Sequence, residues 1–169
     1  MQEGNVDIDR LVRSYGTMVM RQAYFYMKDK QKAEDVCQEV FLRIYKKQPL
    51  LPDEQSEKAY LLRVTINLCK DNLKSAWHRK VVPMAENYDA PGSGLTPEGE
   101  SLQGEEKQML YKAVMELPDI YKDVILLFYY HDMQTAEIAK VLGIPEVTVR
   151  TRLMRARGRL KETLKGRMV

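Results

Sequence analysis

From its amino terminus the chain places apolar residues at a helical period. Ile8, Leu11, Val12, Tyr15, Met18, Val19, Gln22 and Ala23 follow i, i+3, i+4, i+7 spacing, with Gln22 the one polar member of the stripe. Residues so spaced stack on one side of a helix and mark the face that turns to a core. Lys28-Asp29-Lys30 breaks the pattern. A second stripe, Ala33, Val36, Cys37, Val40, Phe41, Ile44 and Tyr45, opposes Lys32, Glu34, Asp35, Gln38, Glu39 and Arg43, and stops before Pro49. Residues 49–57, with two prolines and several acids, read as a loop. A third helix is predicted over 58–79, its apolar content supplied by Leu61, Leu62, Val64, Thr65, Leu68, Cys69 and Leu73. No stretch sustains the every-second-residue alternation of a strand.

The pattern then lapses. Pro83, Pro91, Gly92, Gly94, Pro97, Gly99 and Gly104 fall where apolar residues are sparse. Such a segment cannot bury enough surface to offset its ordering entropy, which predicts a flexible linker over 82–106. Beyond it, helices are predicted over 109–117, 121–130, 135–142 and from 145 to about 164. The expected architecture is therefore all-α, with helical domains over 1–81 and 107–169 on either side of the linker.

The run 134–159 carries the most specific signal. Ala136, Ile138, Ala139 and Leu142 give a short helix its buried side, and Gly143 stands where the chain must leave it. That position favours a left-handed backbone, which glycine adopts at least cost. Ile144 plugs the turn, and Pro145 sits at or just before the next helix, where its missing N–H costs nothing. Two helices joined by so short a glycine-containing turn make a helix-turn-helix. At about 100° per residue, Val149, Leu153, Ala156 and Leu160 share the core-facing arc of the second helix. Val147, Thr151, Met154 and Gly158 lie opposite, flanked by Thr148, Arg150 and Arg155. Arginine can fork onto guanine, threonine can bond a base edge and methionine can meet a thymine methyl, so this arc suits a major groove. Arg152, Arg157 and Arg159 lie nearer the core side, where phosphate contact is expected.

Charge supports that reading. The formal net charge is only +3, yet residues 143–169 hold eight basic residues against Glu146 and Glu162, leaving the remainder net negative. Positive charge gathered at one end is the footprint of a polyanion-binding element. Cys37, Cys69, His78 and His131 have no metal-ligand spacing, so the cysteines read as small core residues and neither metal nor cofactor is expected. With no apolar leader and no apolar run of about 18–20 residues, the expected setting is cytoplasmic, with no direct membrane insertion.

Several blocks resemble an extracytoplasmic-function (ECF) sigma factor of the sigma-70 family. Glu116-Leu-Pro, Val124-Ile-Leu-Leu, Ala136-Glu-Ile-Ala, Leu142-Gly-Ile and Thr148-Val-Arg-Thr-Arg-Leu-Met-Arg-Ala-Arg are similar to its region 4. Ala33-Glu-Asp-Val-Cys-Gln-Glu-Val-Phe-Leu-Arg resembles region 2.2, and Ala59-Tyr-Leu-Leu-Arg-Val-Thr-Ile-Asn-Leu-Cys-Lys-Asp-Asn-Leu resembles regions 2.3–2.4. The resemblance implies region 2 over 1–81 and region 4 over 107–169. It implies core RNA polymerase as partner, through the β′ clamp helices and the β flap, with Glu34, Asp35, Gln38, Glu39 and Arg43 as polymerase-facing residues. It further implies readout of a promoter −35 element by Thr148, Arg150, Thr151, Arg152, Met154, Arg155 and Arg157. For −10 opening it points to Asn67 as base contact and to Lys58, Arg63, Lys70, Asp71 and Lys74 as strand contacts. Tyr60 stands where many members carry Trp, as core or platform, and the loop 51–56 would help form a pocket for a flipped base. An anti-sigma protein, which could hold the chain at a membrane, is a further implied partner. Pro145 and Val147 depart from the commoner Ser-x-Gly helix start, and Glu146 would repel phosphate unless it points aside.

Two other classes compete. A homodimeric helix-turn-helix regulator on an operator explains the C-terminal domain but leaves the first three helices without a role. An enzyme is not expected: no phosphate-cradling glycine loop or metal cluster is present, and Ser14, Ser56, Ser75, Ser93 and Ser101 lack helpful neighbours.

Overall fold

The computed structural model describes residues 5–79 and 104–167, with side chains over 5–75 and 104–166. Every regular element among the described residues is helical, as the periodicity predicts. The chain divides into two compact units, Met1–Gly94 and Leu95–Val169. Of the expected linker, 82–103 lies outside the described residues, while Gly104, Glu105 and Glu106 already form the first turn of a helix.

The first unit is a bundle of α1 (Ile8–Met27), α2 (Lys30–Lys47) and α3 (Glu54–Arg79), each packed on the other two. An aspartate starts each helix: Asp7 accepts from the Arg10 amide at 3.1 Å, Asp29 from Lys32 at 3.0 Å and Asp53 from Ser56 at 2.8 Å. Such caps satisfy an amide the helix leaves unpaired and contribute about 1 kcal/mol each. The Asp53 cap moves the start of α3 back to Glu54, so the expected loop 49–57 ends at its cap. Glu54 and Glu57 are first-turn acids, favoured by the helix dipole, and not loop residues.

Lys28 and Gln48 close α1 and α2 in the left-handed region, at φ 55° and 47°, and their amides bond Tyr24 O and Ile44 O. The core holds Leu11, Val19, Ala23, Val36, Val40, Ile44, Leu61, Leu62, Ile66 and Cys69, all essentially inaccessible. Each fully buried Leu or Ile contributes roughly 1.5–3 kcal/mol of transfer energy. Five consecutive residues, Gln22 to Tyr26, are buried, more than one full helical turn, so α1 is covered all round at that level. Glu57 is buried too, accepting from Arg10 and from the Tyr15 hydroxyl at 2.9 Å, which ties α1 to the start of α3.

The second unit comprises α4 (Gly104–Met115), α5 (Asp119–Ile125), α6 (Thr135–Leu142) and α7 (Glu146–Arg167), with α7 packed on the other three. The helix expected over 121–130 starts earlier, at Asp119, and widens into a π-helical turn over Leu126–Tyr130. There the His131 amide reaches back five residues to Leu126 O at 3.0 Å. Leu127, Val124, Ile138, Val149, Leu153 and Ala156 form the core of this unit.

Candidate nucleic-acid interface

The helix-turn-helix is built as its residue types require. Gly143 closes α6 at φ 69°, ψ 37°, with its amide on Ala139 O at 2.8 Å and the Ile144 amide on the same carbonyl at 3.1 Å. Glu137 accepts from the Gln134 amide at 3.0 Å and secures the other end of α6. Pro145 lies just before α7, where its carbonyl accepts from Thr148 and Val149.

Val149, Leu153 and Ala156 are buried, while Val147 and Met154 on the opposite arc are 61% and 63% exposed. Val147 and Met154 lie about two helical turns apart on this arc, and an apolar side chain so placed can meet a thymine methyl. Arg150 and Arg155 are exposed, and Thr148, Thr151 and Arg152 are half-buried. The Thr151 hydroxyl donates to Val147 O at 3.1 Å and so keeps its lone pairs for an outside donor. Leu160, expected in the core, is only half-buried.

The flanking arginines have partners that the sequence did not disclose. Arg157 donates from Nε to the Tyr129 hydroxyl at 2.6 Å and lies 5.5 Å from the ring centres of both Phe128 and Tyr129. Arg159 lies 5.0 Å over Tyr121. Glu146 does point aside: its Oε2 accepts from the Thr135 hydroxyl at 2.6 Å and pairs with Arg150 Nη2 at 3.2 Å. The Thr135 bond foremost, then Arg150, holds this carboxyl below the usual carboxylate range.

In the first unit, Arg63, Asn67, Asp71 and Lys74 are exposed and, with half-buried Tyr60 and Lys70, follow one arc of α3 at i, i+3, i+4 spacing. Lys58 falls on the other side of the helix, in line with buried Leu61, Leu62 and Thr65, and does not join that strip. The segment 51–56 is half loop and half first turn of α3; Pro52, Asp53, Glu54 and Gln55 are exposed. Hydrogen bonds from Ser56 hold the Asp53 carboxyl below its ordinary range.

The five residues expected to face polymerase divide between two grooves. Asp35, Glu39 and Arg43 line a polar groove between α2 and α3 together with Asp71, Asn72 and Ser75. Glu34 and Gln38 edge an apolar groove between α1 and α2, lined by Ile8, Val12, Met20, Cys37, Phe41, Leu42 and Tyr45. Val12, Leu42 and Tyr45 are 45%, 45% and 58% exposed although the stripes put Val12 and Tyr45 toward the core. Burial, then the Glu34 charge, pushes the Cys37 thiol up. No group of His, Cys, Asp and Glu that could hold a metal occurs among the described residues, and no described helix is long and apolar enough to cross a membrane.

Comparison with known proteins identifies the family of both helical units. Residues 11–79 match the family described as Sigma-70 region 2, and residues 107–160 match Sigma-70, region 4. The ECF RNA polymerase sigma factor SigM of Bacillus subtilis is 30% identical over 154 residues, 91% of this chain and 93% of SigM. The chain belongs to the ECF sigma factors of the sigma-70 family. The probable RNA polymerase sigma factor RfaY of Xanthomonas campestris pv. campestris is 29% identical over 158 residues, which are 92% of this chain and 40% of that longer protein. Among solved structures, the sigma factor RpoE in complex with the anti-sigma factor NepR, from Bartonella quintana, shares the fold. Its TM-score is 0.76 at 21% identity, covering 94% of this ECF chain and 97% of RpoE. The region 2 match takes in nearly all of α1–α3, and the region 4 match runs from α4 into α7.

Proposed function

We propose that this ECF sigma factor binds core RNA polymerase and directs promoter-specific initiation, with region 2 over 1–81, a linker over 82–106 and region 4 over 107–169. The observation that carries the reading is the ordered pair of sigma regions. The second region also presents a recognition helix with a buried apolar arc and an exposed arginine-rich one. The −35 element is read by Arg150, Thr151, Met154 and Arg155, while Thr148, Arg152 and Arg157 hold the backbone. Phosphate contacts position such a helix and base contacts make it specific. The −10 strand lies along Tyr60, Arg63, Asn67, Lys70, Asp71 and Lys74, with Asn67 at a flipped base. Lys58 is the weakest member of that set, because its place on α3 turns it from the strip.

Core polymerase docks on α2, with the β′ clamp helices against Glu34, Asp35, Gln38, Glu39 and Arg43. The β flap is the proposed partner of region 4. The protein acts in the cytoplasm, and an anti-sigma protein restrains it; the RpoE complex with NepR supports a partner of that kind. A homodimeric operator-binding regulator is disfavoured, since region 2 accounts for the helices that reading leaves idle.

The test is pull-down of core polymerase and runoff transcription from a matching promoter. Arg150→Ala and Arg155→Ala should weaken −35 selection and leave polymerase binding intact, whereas Asn67→Ala should impair −10 selection or melting. Unchanged promoter choice in all three variants would refute the site assignments, and failure to bind core polymerase would refute the function.

A further inference from the structure

We propose that Thr135 and Glu146 form a positioning relay that fixes Arg150 for base readout, which makes Glu146 a specificity-determining residue of this promoter-reading helix. The inference rests on the assignment of Arg150 as a base-contacting side chain.

Glu146 is the single acid in the first turn of an arginine-rich helix. Left to itself, a carboxylate there would oppose DNA phosphates. Its environment gives it another part to play. The Thr135 hydroxyl, on the first residue of α6, donates to Glu146 Oε2 at 2.6 Å across the motif. The same oxygen meets Arg150 Nη2 at 3.2 Å, one helical turn along α7. An exposed i, i+4 ion pair is ordinarily weak, because two long side chains lose rotamer freedom to make it. Here the acid's freedom is already taken by a partly buried bond to a different helix. Arg150 therefore meets a fixed acceptor instead of a wandering one.

The chemistry left on Arg150 suits the role. Its guanidinium carries five N–H donors in a rigid fork, and the Glu146 contact uses only an Nη2 donor. The remaining donors stay available to the O6 and N7 acceptors of guanine, the pairing that gives arginine its base discrimination. Arg150 is 59% exposed, so the fork is not covered by protein. Pre-orienting a side chain reduces the ordering cost of binding, and it favours the base that accepts in that orientation over bases that need another. Thr135, Glu146 and Arg150 thus link the start of α6 to one reading position on α7.

The relay predicts opposite changes in affinity and discrimination. Removing the carboxylate removes a repulsion, so binding to mismatched DNA strengthens while preference at one base pair weakens. A purely structural residue would weaken both, and a purely repulsive one would leave preference alone.

The experiment uses holoenzyme assembled from core polymerase and the full chain, competed against promoter DNA carrying each base pair at every −35 position. Arg150→Ala identifies the position it reads, with discrimination there falling about 10- to 100-fold. Glu146→Ala and Thr135→Val should each lower discrimination at that same position by about three- to tenfold, the rest unchanged. Glu146→Ala should also tighten mismatched DNA, whereas Thr135→Val, which alters no charge, should not. Wild-type discrimination in both relay variants, with discrimination lost in Arg150→Ala, would overturn the relay and leave the Arg150 assignment standing. No loss of discrimination in Arg150→Ala would overturn the reading beneath it.

Discussion

Gly143 and Gly158 should respond to the same substitution with opposite signs. A Cβ built on either glycine meets nothing within 4 Å beyond its own chain neighbours, so packing against the rest of the protein plays no part at either site. What differs is the backbone. Gly143 sits at φ 69°, where an L side chain costs roughly 1–2 kcal/mol against its own carbonyl. Gly158 lies inside α7 on its exposed face, where alanine is about 0.8–1 kcal/mol better than glycine. Gly143→Ala should therefore destabilise region 4 by about 1–2 kcal/mol, and Gly158→Ala should stabilise it by a little under 1. Gly143→Asn should fall between wild type and alanine, because asparagine tolerates the left-handed region.

Native-state hydrogen exchange on the full chain separates the two regions without cutting them apart. The slowly exchanging amides of α7, around Val149 and Leu153, report opening of region 4. A loss of about 1.4 kcal/mol speeds their exchange tenfold. Amides of the first bundle should not change. If both alanine variants shifted α7 exchange in one direction, backbone conformation would not be what sets glycine at the turn.

Glu57 gives the first bundle a pH dependence. The hydrogen bond from Arg10 foremost, and that from Tyr15, hold its carboxyl below the usual range against the opposing effect of burial. Its stabilisation is complete above the unfolded carboxylate value of about 4.3 and is lost as pH falls through the lower folded value. Tyr15 is pushed up to about 12, chiefly by burial and then by Glu57, so its share is complete below about 10 and fades above it. Glu57→Gln should flatten the acid arm for α3 amides; an unaltered acid arm would remove Glu57 as its source. For Arg157, alanine should reduce the slope of log affinity against log salt by about 0.9 if it holds one phosphate of duplex DNA. An unchanged slope would confine Arg157 to its stack on Phe128 and Tyr129.

Periodic positions were the legible part of this fold. Val149, Leu153 and Ala156 were readable as core, and Val147 and Met154 as exposed, because neighbours on a helix are set by sequence spacing. Gly143 was readable because one residue type satisfies its backbone. Contacts between distant residues were not. Nothing near Glu57 announces that its partners are Arg10 and Tyr15, and so it read as a loop acid. Likewise Thr135 and Glu146 belong to different helices, and their bond depends on how the turn folds them together. The π-helical turn at Leu126–Tyr130 spans too few residues for its longer period to register in an apolar run. Val12 and Tyr45 obey the stripe yet face outward, because the apolar arcs of α1 and α2 are wider than the bundle covers.

Lys28 and Gln48 both occupy the left-handed region but differ in what their side chains hold. The Lys28 side chain is exposed, and a mutation to glycine there would relieve the backbone. Gln48 accepts from the Val6 amide at 2.7 Å and donates to Tyr45 O at 2.8 Å, fastening the chain ahead of α1 to the end of α2. Glycine would ease that turn and lose both bonds, and glutamate could supply only the acceptor. Substitution is thus cheap at the first turn and costly at the second, although both backbones lie in the same left-handed region.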